Sequence, residues 1–204
     1  MGTSNVISEP RTIVGGSIPD ELKQQQQWLV WRYKKRDVKQ ILLPYDVRTN
    51  KSAMTGRWGR SRWCKFDRAM ESLVDGRYEG PGYVFGRFER YVGIELSRAI
   101  DVQGSIRPLA RAIVDWFDSY TEVYRDGRCL RIIIRQRDNL LDYPGARCRT
   151  VTILPSEYWA DMTGNVLEGC RTTIEDRQWE LEKLKEDMDR GVWRAATTSQ
   201  EVRT

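Results

Sequence analysis

The sequence predicts an α+β fold, because segments with strand-forming composition occur in pairs and alternate with amphipathic helical segments along its 204 residues. The predicted strands are rich in aromatic and β-branched residues, and the predicted helices repeat apolar residues every three or four positions. An apolar content of 40% with eight tryptophans is enough for a substantial core and excludes a disordered chain. We expect one domain at 18–170, after a disordered tail at 1–17 and before a C-terminal helix and tail at 171–204.

The chain enters this domain through a short helix and a hairpin. Proline and two acids stand in the first turn of the segment 18–27, which predicts a helix there. The aromatic and aliphatic run at 28–33 predicts a strand. A polar turn is expected at 34–37, and residues 38–44 are expected to return as the partner strand.

The rest of the chain alternates loops, apolar runs and periodic segments. Residues 49–62, which contain two glycines, predict a loop, and the apolar spacing of 65–75 predicts a helix. Short apolar runs predict further strands at 82–85, 91–96, 121–124, 130–135, 151–154 and 160–163. Apolar residues at helical spacing predict two more helices at 109–117 and 174–190.

Positive charge is concentrated in one segment of the chain. Residues 32–68 contain twelve Lys or Arg and three Asp, a net charge of +9, whereas the rest of the chain sums to −4. Aromatic residues are interleaved with these cations, a combination that suits phosphate contacts and base stacking. The alternative is a solvated basic surface whose aromatics belong to the core. For nucleic acid we predict phosphate contacts from Arg32, Lys34, Lys35, Arg36, Lys39, Arg48, Lys51, Arg57, Arg60 and Arg62, and base stacking from Trp31, Tyr33 and Trp58.

Composition and spacing exclude several other classes of protein. No apolar run approaches the ~20 residues of a membrane span, and residues 1–17 lack the basic and apolar regions of a secretory signal. We therefore expect a cytoplasmic protein with no membrane partner. The four cysteines are widely spaced and the chain has no histidine, so we expect reduced thiols and no zinc site.

Nine short motifs occur in a characteristic order. They are IPxEL at 18–22, QWLVWRY at 27–33, LPYDxRT at 43–49, WxxFDxA at 63–69, GYVF at 82–85, VGIEL at 92–96, SYTEV at 119–123, TGN at 163–165 and IEDRQ at 174–178. Their order and spacing resemble the small primase-polymerase domains of phage, plasmid and integrated-element replication proteins, which belong to the archaeo-eukaryotic primase superfamily. The resemblance implies an RRM-like core with a central mixed or antiparallel sheet flanked by helices.

The resemblance also indicates where catalytic residues would lie. In that family, two metal ions bound to acidic side chains support nucleotidyl transfer, and a histidine holds the incoming triphosphate. The first two metal-binding aspartates fall on Glu95 and Ser97, the histidine on Arg131 and the third acid on Thr152. Only Glu95 keeps a carboxylate, so the resemblance implies a lost catalytic site without a metal cofactor. We expect Glu95 to be a solvent-facing acid at a strand end, and Arg131 to be either a surface residue or a phosphate ligand.

The sequence therefore predicts a non-catalytic nucleic-acid-binding protein, derived from a primase-polymerase, that acts in DNA replication or in the maintenance of a phage, plasmid or other mobile element. Its expected ligand is DNA, single-stranded or primer–template. Two alternatives are open. An active primase or polymerase would bind magnesium or manganese at an altered site, with Asp101, Glu122 or Asp126 as substitute ligands. A protein-interaction subunit would dock its acidic C-terminal helix on a helicase or initiator protein.

Overall fold

The computed structural model describes residues 15–36, 39–53, 57–86, 90–124, 127–137, 145–148 and 150–191, without the side chains of Lys39, Arg57 and Trp58. Within these residues the strands are β1 (Trp28–Arg36), β2 (Lys39–Tyr45), β3 (Gly80–Phe85), β4 (Tyr91–Leu96), β5 (Thr121–Tyr124), β6 (Cys129–Arg135), β7 (Ala146–Cys148), β8 (Val151–Ile153) and β9 (Tyr158–Asp161). The α-helices are α1 (Asp20–Lys23), α2 (Phe66–Glu71), α3 (Pro108–Phe117) and α4 (Gln178–Asp189). Two 3₁₀ helices are formed by Gly15–Ser17 and Arg57–Arg62.

The strands form two sheets in which all neighbouring strands run antiparallel. The first sheet has the strand order β2-β1-β3-β9, and the second has the order β5-β6-β4-β8-β7. The α+β prediction is confirmed. The strands divide between two antiparallel sheets, where a central mixed or antiparallel sheet was predicted, because β3 and β4 follow each other in the chain but pair with different partners.

Most predicted elements are present, with shifted ends. The strands predicted at 91–96 and 121–124 match β4 and β5 residue for residue. Residues 34–36 continue β1 instead of forming a turn, so the hairpin is longer than predicted. Residues 174–177 do not form the start of α4, because the backbone groups of Glu175 and Arg177 form hydrogen bonds with Arg135 at the end of β6. Residues 15–17 of the predicted tail form a 3₁₀ helix, and residues 1–14 and 192–204 lie outside the described residues.

Apolar side chains fill three layers around the two sheets. Helices α3 and α4 cover one face of the second sheet, where Ile94 of β4 and Ile132 of β6 are fully buried. On the opposite face, Ile133 joins Phe85 of the first sheet in a cluster that also holds residues of α1 and α2. The far face of the first sheet is covered around Trp63. The layer between the sheets positions the residues considered below.

Gly93 of β4 packs against Phe85 of the first sheet and against Leu154, with no room for a side chain. A Cβ atom at this position would lie 2.7 Å from Cδ1 of Leu154 and 3.0 Å from Cζ of Phe85. Because protein cores are close-packed, we expect Gly93→Ala to lower the free energy of unfolding by about 1–3 kcal/mol. Urea unfolding followed by tryptophan fluorescence measures the difference. Gly16→Ala is the control, because its added Cβ has no neighbour within 4 Å, and an equal effect of the two substitutions would contradict the close approach.

Candidate functional site

A row of polar residues crosses one face of the second sheet. The strand register pairs Glu122 of β5 with Arg131 of β6, and Arg131 with Glu95 of β4. It continues from Glu95 to Thr152 of β8, and from Thr152 to Arg147 of β7. Residues that are directly opposite each other on neighbouring strands share a face. The structure therefore places three of the four positions that the resemblance singled out side by side on neighbouring strands.

Arg131 is fully buried, and its guanidinium lies between three carboxylates. Nη2 donates to Oε1 of Glu95 at 2.9 Å and to Oδ1 of Asp161 at 3.1 Å, and Nη1 donates to Oε1 of Glu122 at 2.8 Å. Nη1 also donates to the carbonyl oxygen of Asp161, and the guanidinium carbon lies 4.0 Å from the ring centroid of Tyr124. Burial acts to lower the pKa of Arg131, but the three carboxylates outweigh it and raise the pKa above its ordinary value. This permanent cation joins strands of both sheets.

Glu122 is the most enclosed of the three carboxylates. Its Oε2 accepts hydrogen bonds from the backbone N–H groups of Thr163 at 3.1 Å and Gly164 at 2.9 Å. The hydroxyls of Tyr120 and Thr163 lie 3.1 and 3.2 Å from the same oxygen. Burial raises the pKa of Glu122, while Arg131 and the two backbone N–H groups oppose the rise. Glu122 therefore fastens the turn at 163–165 to β5 and to the guanidinium.

The residues at the family's metal-ligand positions do not fit a pair of magnesium or manganese ions. Oε1 of Glu95 is bonded to Arg131, and Ser97 and Thr152 offer only hydroxyls. Divalent metals of this kind need several hard oxygen ligands, mainly carboxylates. Among the residues that the structure describes, no three Asp, Glu, His or Cys side chains form a group able to hold a metal ion.

Two expectations for this site are wrong. Glu95 does not face solvent, because its side chain is held against Arg131 and only 7% of the residue is exposed. Arg131 is not a surface residue, because its side chain is fully buried and paired with the carboxylates of Glu95, Glu122 and Asp161. Sequence reasoning missed Asp161 as an ion-pair partner, although a single arginine inside the apolar run of β6 was a signal that a buried charge needed partners.

Two of the three substitute metal ligands considered from the sequence have other roles in the structure. Glu122 binds Arg131, as described above. Oδ1 of Asp101 accepts hydrogen bonds from the backbone N–H groups of Gln103 and Ser105, both at 2.9 Å, and so stabilises an exposed turn. Asp126 lies outside the described residues.

A cavity of about 310 Å³ opens beside the cluster, over β7 and β8. Glu95, Thr152 and Tyr158 line it, together with the exposed Arg147. The cavity therefore lies at the place where the resemblance would put catalytic groups, but its one carboxylate is already paired with Arg131.

The predicted nucleic-acid contacts fall on two connected surfaces. The basic ribbon is the distal part of the hairpin, residues 32–36 and 39–43, and it exposes Tyr33, Lys34, Lys35 and Arg36. The basic loop, residues 46–53 and 57–62, follows the base of the hairpin and exposes Arg48, Lys51 and Arg60, with Arg62 half-buried. The side chains of Lys39, Arg57 and Trp58 lie outside the described residues, so their predicted contacts have no structural account.

Two predicted contacts are used by the fold itself. The guanidinium carbon of Arg32 lies 4.2 Å from the ring centroid of Tyr45, a cation–π contact that leaves the residue half-buried. The indole N–H of Trp31 donates to the carbonyl oxygen of Pro81 at 3.1 Å. These two side chains anchor the ribbon, and each would lose its contact within the fold if it turned to bind a ligand.

Asp46 organises the start of the basic loop. Its carboxylate accepts hydrogen bonds from the backbone N–H of Arg48 at 2.9 Å and from the hydroxyl of Thr49 at 3.1 Å. Burial acts to raise the pKa of Asp46, but these hydrogen bonds and the Arg48 guanidinium outweigh it and hold the pKa below its ordinary value. The exposed cation of Arg48 is thereby fixed next to the hairpin.

Comparison with known proteins gives one distant relationship. No family model matches the chain. A curated protein from Nitratiruptor phage NrS-1, described as a DNA primase-polymerase, is 26% identical over 154 residues. The match covers 72% of this chain and 20% of that protein, so the chain spans about a fifth of its relative's length. The described helices include none that is long and apolar enough to cross a membrane.

Proposed function

We propose that this chain is a nucleic-acid-binding domain of primase-polymerase descent in which an ion-pair cluster replaces the catalytic site. The single observation that carries the proposal is the complete burial of Arg131 between Glu95, Glu122 and Asp161. At the position of the family's nucleotide-binding histidine, the chain has a side chain that cannot reach a triphosphate. At the position of a metal-binding aspartate, it has an acid already neutralised by that side chain.

The chemistry of nucleotidyl transfer explains why this exchange removes activity. The reaction depends on cations held close to the primer hydroxyl and the triphosphate, with little tolerance for displaced ligands. One paired carboxylate and two hydroxyls supply neither the charge nor the geometry. The cluster instead stabilises the junction of the two sheets.

Binding of DNA is the function that the remaining surface supports. The basic ribbon on β1 and β2, and the basic loop that follows it, concentrate exposed cations at the edge of the first sheet opposite to β9, which carries Asp161. The relative from a phage is described as a DNA primase-polymerase. We place this chain in DNA replication or in the maintenance of a mobile element, with DNA as its partner.

Two measurements on the same preparation test the proposal. Fluorescence anisotropy with single-stranded, duplex and primer–template DNA should show binding that weakens steeply as salt is raised, because released counterions drive phosphate contacts. Incorporation of labelled nucleotides with magnesium or manganese should stay at background, with the phage primase-polymerase as positive control. Incorporation that is abolished by Ser97→Ala would instead support the active-enzyme alternative, and absence of DNA binding at low salt would refute the proposal.

A protein partner is a second candidate function, favoured by one observation on α4. This helix buries Leu181, Leu184 and Met188 against the domain, yet Trp179 at its start is 65% exposed. Its ring meets Trp116 edge-on, with centroids 6.2 Å apart. A helicase or initiator that docked here would co-purify with the wild-type chain and not with Trp179→Ala.

A further inference from the structure

The basic ribbon is a two-stranded structure that extends beyond its sheet. β3 pairs with β1 only from Trp28 to Trp31, whereas β2 pairs with β1 as far as Arg36. Among the described strands, the segment from Arg32 to Arg36 therefore pairs only with β2. At about 3.3 Å per residue these five residues reach roughly 16 Å.

The base of the ribbon is anchored on one face to the ring of Tyr78 and on the other to the carbonyl oxygen of Pro81, which accepts a hydrogen bond from the indole N–H of Trp31 at 3.1 Å. On one face Arg32 lies over the rings of Tyr45 and Tyr78, with its guanidinium carbon 4.2 and 5.8 Å from their centroids. On the other face Trp31 packs edge-on against Tyr33 with centroids 5.6 Å apart. A projection anchored in this way loses little conformational freedom when it meets a ligand.

Charge on the ribbon has one sign and lies on both faces. Successive side chains of a strand alternate between faces, so Lys34 and Arg36 lie on one face and Lys35 on the other. No Asp or Glu occurs at 32–36 or 39–43, and the one acid between these two segments in the sequence is Asp37. Among the described residues, no carboxylate forms an ion pair with these three cations. A flat anionic surface or a single strand lying on one face would leave part of this charge without phosphate.

We propose that the basic ribbon enters the major groove of duplex DNA, an inference that rests on the proposed nucleic-acid-binding function and specifies its ligand. Only a groove places phosphates on both sides of an inserted ribbon. The major groove of B-DNA, about 12 Å wide and 8.5 Å deep, admits two β-strands, and a reach of roughly 16 Å is enough to cross it. The major groove of A-form RNA is too narrow and deep for side chains, so RNA duplexes are excluded as the preferred ligand.

Anisotropy with matched nucleic acids tests the choice of ligand. The probes are one sequence as single-stranded DNA, duplex DNA and duplex RNA, each over a series of salt concentrations. We expect duplex DNA to bind at least about tenfold more tightly than either other probe, with a steep salt slope. In the complex, guanine N7 should be protected from dimethyl sulfate, and netropsin in the minor groove should not compete, because N7 lies in the major groove.

A pair of triple variants locates the contact. Lys34→Ala/Lys35→Ala/Arg36→Ala should raise the Kd for duplex DNA more than about tenfold and reduce the salt slope by about 3 units, one for each lost phosphate contact. Arg68→Ala/Arg77→Ala/Arg190→Ala is the control, since it removes three exposed cations elsewhere and changes the net charge equally. It should leave the Kd within about twofold.

The outcomes separate this inference from the proposed function. Tighter binding of single-stranded DNA, equal binding of duplex RNA, or an unaffected ribbon variant would overturn the groove assignment while DNA binding itself stands. Loss of dimethyl sulfate protection with competition by netropsin would move the contact to the minor groove and also overturn it. Absence of binding to every probe would refute both.

Discussion

Arg131→Met should lower the free energy of unfolding by about 3–5 kcal/mol at neutral pH, because it leaves three carboxylates at a buried site without their cation. Methionine matches the length of the arginine stem but supplies no charge and no donor. Glu122 is fully buried and has no route to solvent, so its charge cannot be hydrated after the substitution. Chemical denaturation with urea, followed by circular dichroism, measures the loss.

The same variant should depend on pH in a defined direction. Burial already raises the pKa of Glu122 in the native protein, and Arg131 opposes that rise. Without Arg131 the pKa of Glu122 rises further above its unfolded value, so the native state of the variant binds a proton that the unfolded chain releases. Stability from this group is then present below the unfolded pKa, near 4.3, and is lost as pH increases through the raised native value. The deficit relative to wild type should therefore be smaller at pH 5 than at pH 8.

Arg68→Met is the control for this substitution. Arg68 is exposed and pairs with Glu71 on the surface of α2, so its loss should change stability by no more than about 0.5 kcal/mol. If Arg131→Met and Arg68→Met lowered the free energy of unfolding equally at pH 8, the ion-pair cluster would not stabilise the fold. The proposal that it replaces a catalytic site would then lose its main support.

Glu122→Gln should lower the free energy of unfolding by about 2–3 kcal/mol, although it only replaces one carboxylate oxygen by an NH₂ group. The carboxylate faces donors at both oxygens: Arg131 at Oε1, and the N–H groups of Thr163 and Gly164 at Oε2. A glutamine must turn its amide N–H₂ toward one of these donors, which leaves buried groups without an acceptor. Thermal unfolding and hydrogen exchange at Gly164 measure the global and the local effect.

Glu71→Gln gives the matched comparison on the protein surface. Its carboxylate is exposed and contacts only Arg68 in the ion pairs of the described residues, so a change within about 0.5 kcal/mol is expected. A Glu122→Gln protein with unchanged exchange at Gly164 would show that the turn at 163–165 does not depend on the carboxylate.

The sequence predicted local elements better than their assembly. Short apolar runs define β4 and β5 without reference to other parts of the chain, and both ends of each strand were predicted correctly. The division into two sheets was not predictable from that pattern, because pairing depends on partners that are distant in sequence. Residues 34–36 show the limit of composition alone, since three cations read as a turn form a regular strand paired with β2.

For the candidate site too, the positions of residues along the strands were predicted, whereas the contacts between distant segments were not. Motif order aligned Glu95, Arg131 and Thr152, and the register places them on adjacent strands. The burial of Arg131 was not predicted, because the partner that closes the site, Asp161, comes from β9 of the other sheet. A charge in a strand is exposed or buried according to what packs over it, and strand composition does not contain that information.

The second sheet occupies the chain between β3 and β9, and these two strands pair with each other in the first sheet, with Phe85 opposite Tyr158. The first sheet is therefore complete only when β9 pairs with β3 across roughly seventy intervening residues. Closing a loop of that length costs conformational entropy. Contacts of such long range slow folding and make it cooperative. Association of β9 also brings Asp161 to Arg131, so the last edge of one sheet and the neutralisation of the buried charge in the other are expected to form in one late kinetic step.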